Sequence, residues 1–447
     1  MLLSLTASIW TIPSLAILAN LIPRFGIGTK PALITLSIYA ILPIIKNTVL
    51  GMETIPTEIH EASISLGFTP KQKLLMIDLP LALPILITGL RISVSITIGV
   101  ATLAAFVGAG GLGDFINQGL ALNNNALILL GAIPAAIMAL LLDQLIVIFW
   151  KYFSKGKKLI FTFVILLFPT ILYFSNRHIN TNNAVTIASK NFTESMILAE
   201  LAAQVIERKT HIPVIRKFNL GTTPICQTAI LNHQIDLYPE YTGTAYMTVM
   251  KKKYIANSDI FNTVKNYYQN QFALTWLAPF GFKNKQVIAV NENLAKRFHL
   301  NKISDLYIIN NHLIIGVPAE FLKRPDGFIT LNKQYALEFI AVKQMDPGLL
   351  YDALKNNKVD VINAFSTDGR IPEYHLVTLS DDKQVYPPYE AALIVRSDTL
   401  KKYPKLYAAL KPLFGKIDDK TMEQLNYQVD VLKKSPSEVA KSFLRNI

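Results

Sequence analysis

Cysteine occurs once in the 447 residues, at Cys226, so no disulfide can close within the chain and no thiolate set can hold a metal. The seven histidines form no HExxH pair, which removes the commonest helical zinc signature; no metal site is expected. Neither a GxxxxGK[ST] phosphate loop nor a GxSxG nucleophile turn is present, so nucleotide hydrolysis and acyl transfer lack their usual seats. AFSTDGR offers Ser366 and Asp368, but nothing marks a base beside them, and no catalytic residue is assigned. A formal charge of +13 would suit nucleic acid, yet the lysines are scattered and make no long basic run. No nucleic-acid partner is expected.

Charge itself is scarce. Asp, Glu, Lys and Arg make up 17% of the chain against 51% hydrophobic residues, with a mean hydropathy of +0.33, too oily for a soluble protein of this length. The scarcity is concentrated before about residue 180, whereas 184–447 has the mixed texture of a soluble domain. A helix needs about 20 apolar residues to cross a bilayer. Five stretches qualify as spans: Leu5–Leu21, Pro31–Leu50, Leu81–Val107, Asn125–Trp150 and Leu159–Phe174. KYFSKGKK, residues 151–158, puts four lysines between the fourth and fifth, and the positive-inside rule makes that loop cytoplasmic. Alternation then places 184–447 outside the cytoplasm and residues 61–80 inside. Arg24 and Lys30 fall on the outer side, against the rule. The first span lacks the basic start and small-residue cleavage site of a signal peptide. Lys46, Arg91, Asp114 and Asp143 sit within or beside spans, as functional candidates or as side chains that snorkel from span ends. Glycines at 108, 110, 111 and 113 either allow close helix approach or mark the turn out of the membrane.

Residues 61–80, EASISLGFTPKQKLLMIDLP, interrupt the apolar pattern. Glu58 and Glu61 suit the first turn of a helix after Pro56; Gly67 and Pro70 break it, and a second short helix is expected over Lys71–Leu79. Two short helices joined at a glycine make a knob that another protein could grip. EAS, three residues, Gly67, nine residues, then Ile77, Asp78, Leu79 and Pro80 resembles the EAA signature of ABC importer permeases, with Ser63 for the second alanine. That resemblance implies that Glu61, Ala62 and Gly67 couple the chain to a separate ABC ATPase subunit. TIPSLAIL, LPIIKNTVLGM and FVGAGGLGDFINQGL further resemble permeases of the glycine betaine, carnitine and choline class, which implies a homodimer through the permease domain.

Beyond residue 184, short apolar strands alternate with helices: AVTIAS, the amphipathic ESMILAELAAQVIERK, VIRKFN, a helix to His233, IDLYPEY, and later LIIGVPAE, Leu349–Asn356 and VDVINAF. This βαβ rhythm implies α/β lobes with mainly parallel sheets; PPYEAALIV reads as a return strand and the last sixty residues as helices. ASKNFTES, DLYPEYTGTAY, FLKRPDGF, AFSTDGRI and YPPYEAA resemble the binding proteins for quaternary ammonium osmoprotectants. The fold class expected is therefore an all-α membrane permease of about five transmembrane helices fused to an α/β two-lobe periplasmic binding protein-like domain. Its boundaries are 1–157 for the permease with coupling loop 53–80, 158–183 for a linking span, and 184–447 for the extracytoplasmic domain. Lobe 1 takes about 184–287 and 389–447, and lobe 2 about 288–388.

A trimethylammonium has no N–H to donate, so a protein holds it against aromatic faces, and a carboxylate at its other end wants Lys or Arg. The resemblance carries Tyr241, Phe365 and Tyr389 to cage positions, and Lys190, Thr244 and Arg324 to positions that hold a carboxylate or line the pocket. Gln286 stands where relatives present a cage tyrosine; an amide there would weaken simple betaine binding but could hydrogen-bond a larger head such as an imidazole thione. The substrate expected is a quaternary amine of the glycine betaine, carnitine or choline type, with ergothioneine as the alternative. No cofactor is expected, ATP being used by the partner subunit. A membrane-anchored enzyme and a ligand-gated sensor are the less favoured classes. Cys226 reads as buried packing.

Overall fold

The computed structural model describes residues 11–121, 124–153, 183–254, 258–324 and 326–446, and these divide into two compact units, 11–116 with 129–153 and 117–128 with 183–446. The first unit is helical. Helix α1 (Ser14–Phe25) begins at Pro13, whose missing N–H costs nothing at a helix start. It is followed by α2 (Thr29–Glu53), α3 (Thr57–Ser65), α4 (Pro70–Lys73), α5 (Leu79–Leu103), α6 (Leu112–Ala121) and α7 (Asn125–Phe153). Three helical stretches, Thr29–Glu53, Pro70–Val107 and Asn125–Tyr152, are long and apolar enough to cross a membrane. They match the second, third and fourth expected spans. The first expected span, Leu5–Leu21, is described from residue 11 onward, where a 12-residue helix, Ser14–Phe25, follows Pro13. The fifth, Leu159–Phe174, lies outside the described residues.

Small residues let α2 and α5 approach closely. A Cβ on Gly89 would stand 2.6 Å from that of Asn47, Gly51 faces Ala82, and Ser93 Oγ donates to the Ala40 carbonyl at 2.6 Å. Between α5 and α7, Arg91 makes a two-pronged ion pair with Asp143, at 2.7 and 2.9 Å. Arg91 is twelve residues from either end of α5, about 18 Å at the rise of an α-helix. Snorkelling cannot reach that far, so the pair is a mid-span feature. The glycines at 108, 110 and 111 all take positive φ and form the turn after the 3-10 segment Ala104–Val107.

The second unit holds two five-stranded sheets. Strands β1 (Val185–Lys190), β2 (Val214–Gly221), β3 (Leu237–Tyr241), β4 (Leu274–Trp276) and β10 (Ala391–Arg396) form one, in the order β2-β1-β3-β10-β4. Strands β5 (Gln286–Asn291), β6 (Ile314–Val317), β7 (Ala341–Gln344), β8 (Val361–Phe365) and β9 (Leu376–Leu379) form the other, in the order β7-β6-β8-β5-β9. In each, four strands run in one direction and one against them, β10 in the first sheet and β5 in the second, and the expected return strand, β10, pairs antiparallel with β3. The chain crosses between sheets after Trp276 and again before Ala391. Gln286 and Val287, assigned to lobe 1 by the sequence, open β5 of the second sheet, because Gln286 pairs with Phe365 across β8.

Helix α8 (Thr193–Thr210) departs from its expected amphipathic character: every residue from Thr193 to Val205 is buried. It lies between the first sheet and the C-terminal helices α11 (Asp419–Asp430) and α12 (Pro436–Phe443), so no face is left for water. Its polar residues are satisfied largely from outside the helix: Arg216 donates to Glu200 at 2.8 Å, and Gln204 Nε2 donates to the Ser437 carbonyl at 2.9 Å as well as to Glu200 within the helix. The remaining helices of interest are α9 (Thr223–Leu231) and α10 (Pro347–Lys355), each packed on its own sheet. Cys226, on α9, is fully buried, and burial pushes its thiol up.

Candidate functional site

Open α/β sheets place ligands at the carboxyl ends of their strands, and the second unit follows that rule. Strand β1 ends at Lys190 and hands on to Phe192, β3 ends at Tyr241 with Thr244 just beyond, and β8 ends at Phe365. The first crossing contributes Asn284 and Gln286, the segment after β6 contributes Arg324, and the second crossing contributes Tyr389. All seven residues singled out by the sequence (Lys190, Tyr241, Thr244, Gln286, Arg324, Phe365 and Tyr389) line one cavity of about 360 Å³. That volume suits a small metabolite.

Three rings form a continuous wall: Phe192 lies 5.9 Å from Tyr241 and 6.0 Å from Phe365, stacked on the latter. The sequence reading passed over Phe192 although it lies within ASKNFTES; an aromatic in the turn leaving a strand end was the signal. Tyr389 stands apart from these three. It packs over Gly243, where a Cβ would come 2.6 Å from two ring carbons, and its hydroxyl donates to Asp326. Burial first, and the neighbouring carboxylates next, push both Tyr241 and Tyr389 well above the usual phenol value, so both rings are neutral donors.

The two expected carboxylate holders are already engaged. Lys190 Nζ is 2.6 Å from Glu240 Oε1 and 3.2 Å from Thr223 Oγ1, and it sits over the rings of Tyr241 at 4.7 Å and Phe192 at 5.5 Å. Arg324 pairs with Asp326 at 2.6 Å and reaches Glu320 at 3.5 Å, while its Nη1 donates to Thr244 Oγ1 at 3.3 Å. Both cations therefore line the cavity as members of ion pairs. Gln286 accepts from Asn363 Nδ2 at 2.8 Å. Asn284 is buried, lines the cavity, and its Oδ1 has no partner among the described residues.

A smaller recess of about 40 Å³ adjoins the main cavity and shares Phe192, Asn284, Asn363 and Phe365 with it. Arg370 sits there, 3.9 Å from the face of Tyr351, paired with Asp368 at 2.7 Å and near Asp430 at 3.8 Å. Burial raises Asp430 to about 6, whereas Arg370 holds Asp368 below the usual carboxylate value against the effect of burial. Glu194 also faces this recess. Among the described residues, the two cavities are lined by Lys190, Arg324 and Arg370 and by five acids, Glu194, Glu320, Asp346, Asp368 and Asp430. In a chain of net charge +13 the cleft is thus locally acidic.

The second predicted site lies in the first unit. Glu61 and Ala62 are exposed on α3, which ends at Gly67 with φ +77°, and Phe68 N–H closes the cap on the Ser63 carbonyl at 3.1 Å. Ser63, in place of the second alanine, is buried and donates to the His60 carbonyl at 2.7 Å. Ile64 and Leu66 are 69% and 76% exposed, an apolar surface on the tip of the knob. The expected second helix, Lys71–Leu79, is not separate. Thr69 and Gln72 form a capping box that starts it at Pro70, and a π-turn over Leu74–Asp78 carries it straight into α5. The wider turn accommodates Pro80, which cannot donate the usual backbone bond.

Residues 183–446 match the family described as the substrate binding domain of ABC-type glycine betaine transport systems, and residues 1–159 match the binding-protein-dependent transport system inner membrane component. The ergothioneine transport permease/ergothioneine binding protein EgtU of Helicobacter pylori (strain G27) is 35% identical over 462 residues, covering 100% of this chain and 83% of that protein. The carnitine transport binding protein OpuCC of Listeria monocytogenes serotype 1/2a (strain 10403S) is 36% identical over 65% of this chain and 96% of its own length. A crystal structure of a glycine betaine/carnitine/choline ABC transporter aligns with 33% identity and a TM-score of 0.51, covering 59% of this chain and 98% of that one.

Proposed function

The chain belongs to the binding-protein-dependent ABC importers, with an inner-membrane permease component and a glycine betaine-type substrate-binding domain in one polypeptide, and on that premise we propose that it captures and conducts a quaternary ammonium compound. The substrate class is that of glycine betaine, carnitine and choline. The observation that carries this reading is the aromatic wall of Phe192, Tyr241 and Phe365, with Tyr389 beyond, on a cavity of about 360 Å³ whose adjoining recess carries the acidic excess, Glu194, Asp368 and Asp430 against Arg370. Ring faces attract a cation that offers no hydrogen-bond donor, and an excess of carboxylates favours positive charge.

Capture takes place on the extracytoplasmic side. Closure of the two lobes around the ligand excludes water from the aromatic wall, and the binding domain delivers the ligand to a homodimeric permease. A separate ABC ATPase subunit hydrolyses ATP and grips α3, where Glu61, Ala62 and Gly67 pass its movement to α5 through the continuous helix from Pro70. The exposed Ile64 and Leu66 supply the apolar part of that contact. This chain performs no chemistry of its own and holds no cofactor.

Ergothioneine, a trimethylammonium betaine with an imidazole thione, is a second reading within the same architecture. Gln286 favours it, since an amide at the cavity wall can hydrogen-bond a heterocycle where a fourth aromatic ring would not. Calorimetric titration of the detergent-solubilised full chain with glycine betaine, carnitine, choline and ergothioneine decides between them. Binding of any one, lost in Tyr389→Ala, supports the cage. Failure of all four removes the quaternary-amine reading.

A further inference from the structure

Every basic side chain that lines the two cavities has an acidic partner: Lys190 with Glu240, Arg324 with Asp326, and Arg370 with Asp368. Glu194 is the converse case. It is 3% exposed, and among the described residues it has no cationic partner within ion-pair distance. Its oxygens accept instead from four neutral donors: Tyr241 Oη at 2.6 Å and Asn284 Nδ2 at 2.7 Å on Oε1, Thr367 Oγ1 at 2.5 Å and Asn426 Nδ2 at 3.2 Å on Oε2. Asn426 Nδ2 also donates to the Thr367 carbonyl at 2.8 Å, which fixes that amide with its nitrogen toward Glu194. Burial raises the Glu194 carboxyl above its ordinary value, and against it two donors on each oxygen and a place in the first turn of α8 favour the charged form.

We propose that Glu194 is the counter-charge for the ligand's quaternary cation and acts as a positioning residue through Tyr241. The proposal rests on the quaternary-amine reading and names which charge in the cleft answers the ligand's. Tyr241 joins the two groups: its hydroxyl is held by Glu194 while its ring lines the main cavity. A phenol that donates to a carboxylate gains electron density in its ring, which strengthens the pull of the ring face on a cation. The same bond locks the ring against rotation, so the aromatic wall with Phe192 is set before the ligand arrives. Asn284, whose nitrogen is spent on Glu194, is left with a buried, unpartnered Oδ1 at the cavity wall. That oxygen suits the polarised methyl groups of a quaternary nitrogen, which offer only weak C–H donors. The Lys190 ammonium over Tyr241 and Phe192 is paired with Glu240, which leaves Glu194 as the acid that a ligand cation answers.

The test separates charge from shape. Glycine betaine and 3,3-dimethylbutanoate differ only in N⁺ against C, and choline and 3,3-dimethylbutan-1-ol form the matching alcohol pair. The full chain in detergent is titrated with all four, as wild type, Glu194→Gln and Tyr241→Phe. The expected result is a wild-type preference for the quaternary ammonium ligands that falls about tenfold in Glu194→Gln and severalfold in Tyr241→Phe, with the isosteres that lack the cation weakened far less. Equal weakening of cation and isostere would assign Glu194 a purely structural role and overturn the proposal, as would an unchanged preference in both variants. If Glu194→Gln fails to fold, Tyr241→Phe alone decides, because it keeps the ring and cuts only the link. Wild-type indifference to quaternary cations would instead overturn the quaternary-amine reading, and this proposal with it.

Discussion

Lys190→Met separates two jobs that the sequence could not distinguish. By motif the lysine belongs with a ligand carboxylate; in the structure its ammonium lies 2.6 Å from Glu240, with the two side chains 6% and 0% exposed. Removing one partner of a buried pair costs about 3–5 kcal/mol, because the remaining charge keeps its desolvation penalty. Glu240 would still accept from Thr223 Oγ1 at 2.9 Å and from the Tyr241 N–H at 2.8 Å, which places the expected loss near the lower end, about 3 kcal/mol. For a unit of this size that corresponds to a fall in Tm of about 6–12 °C. Fluorescence of the buried Trp276, with Trp10 and Trp150 replaced by Phe, follows the binding domain during thermal unfolding.

A second substitution completes the test. Lys190→Met with Glu240→Gln removes the stranded charge and is expected to recover most of the lost stability, since a neutral amide can keep part of the hydrogen bonding. Choline affinity should hold or rise in the single variant, because the lysine ammonium no longer occupies the faces of Tyr241 and Phe192. The opposite pattern would refute this reasoning: an unchanged Tm, with lost affinity for glycine betaine and carnitine but not for choline, would mean that the ammonium serves the ligand rather than Glu240.

Gly243→Ala drives a methyl into the ring of Tyr389 and should lower ligand affinity by about tenfold, for a stability cost of about 1–3 kcal/mol, read by titration and thermal unfolding together. Arg91→Leu strands Asp143 in mid-span, so the yield of detergent-stable protein should collapse; Arg91→Leu with Asp143→Leu should restore it. Asp430 has a folded pKa of about 6, above its unfolded value of about 4, so the native state binds the extra proton. Its contribution to stability is therefore present at low pH and lost as pH rises from about 4 through 6, roughly 1 kcal/mol between pH 5 and 7. Urea unfolding at pH 5, 6 and 7 should show that slope in the wild type and a flatter profile in Asp430→Asn.

Local periodicity made most of the architecture legible, because each element was written in its own residues. The three long spans are runs of apolar side chains, and the strands of the binding domain are short apolar stretches between turns. What failed were features decided by distant partners. ESMILAELAAQVIERK reads as amphipathic because Glu194, Glu200 and Gln204 look like a solvated face; they are buried because Tyr241, Arg216 and Ser437 come from elsewhere in the chain to satisfy them. Pro70 reads as a breaker but starts a helix, since its missing N–H is not needed in the first turn and the capping box of Thr69 and Gln72 satisfies the neighbouring N–H groups. The binding cavity shows the same division. Motif resemblance gathered seven residues that line one cavity, yet it was silent on Glu194, although that residue lies four positions from Lys190 in ASKNFTES. Lys190 attracts notice as the only cation of the motif, while its neighbour passes for a helix-start acid. Burial reverses their standing: the lysine is neutralised within the fold, and the glutamate is the charge left for a ligand to answer.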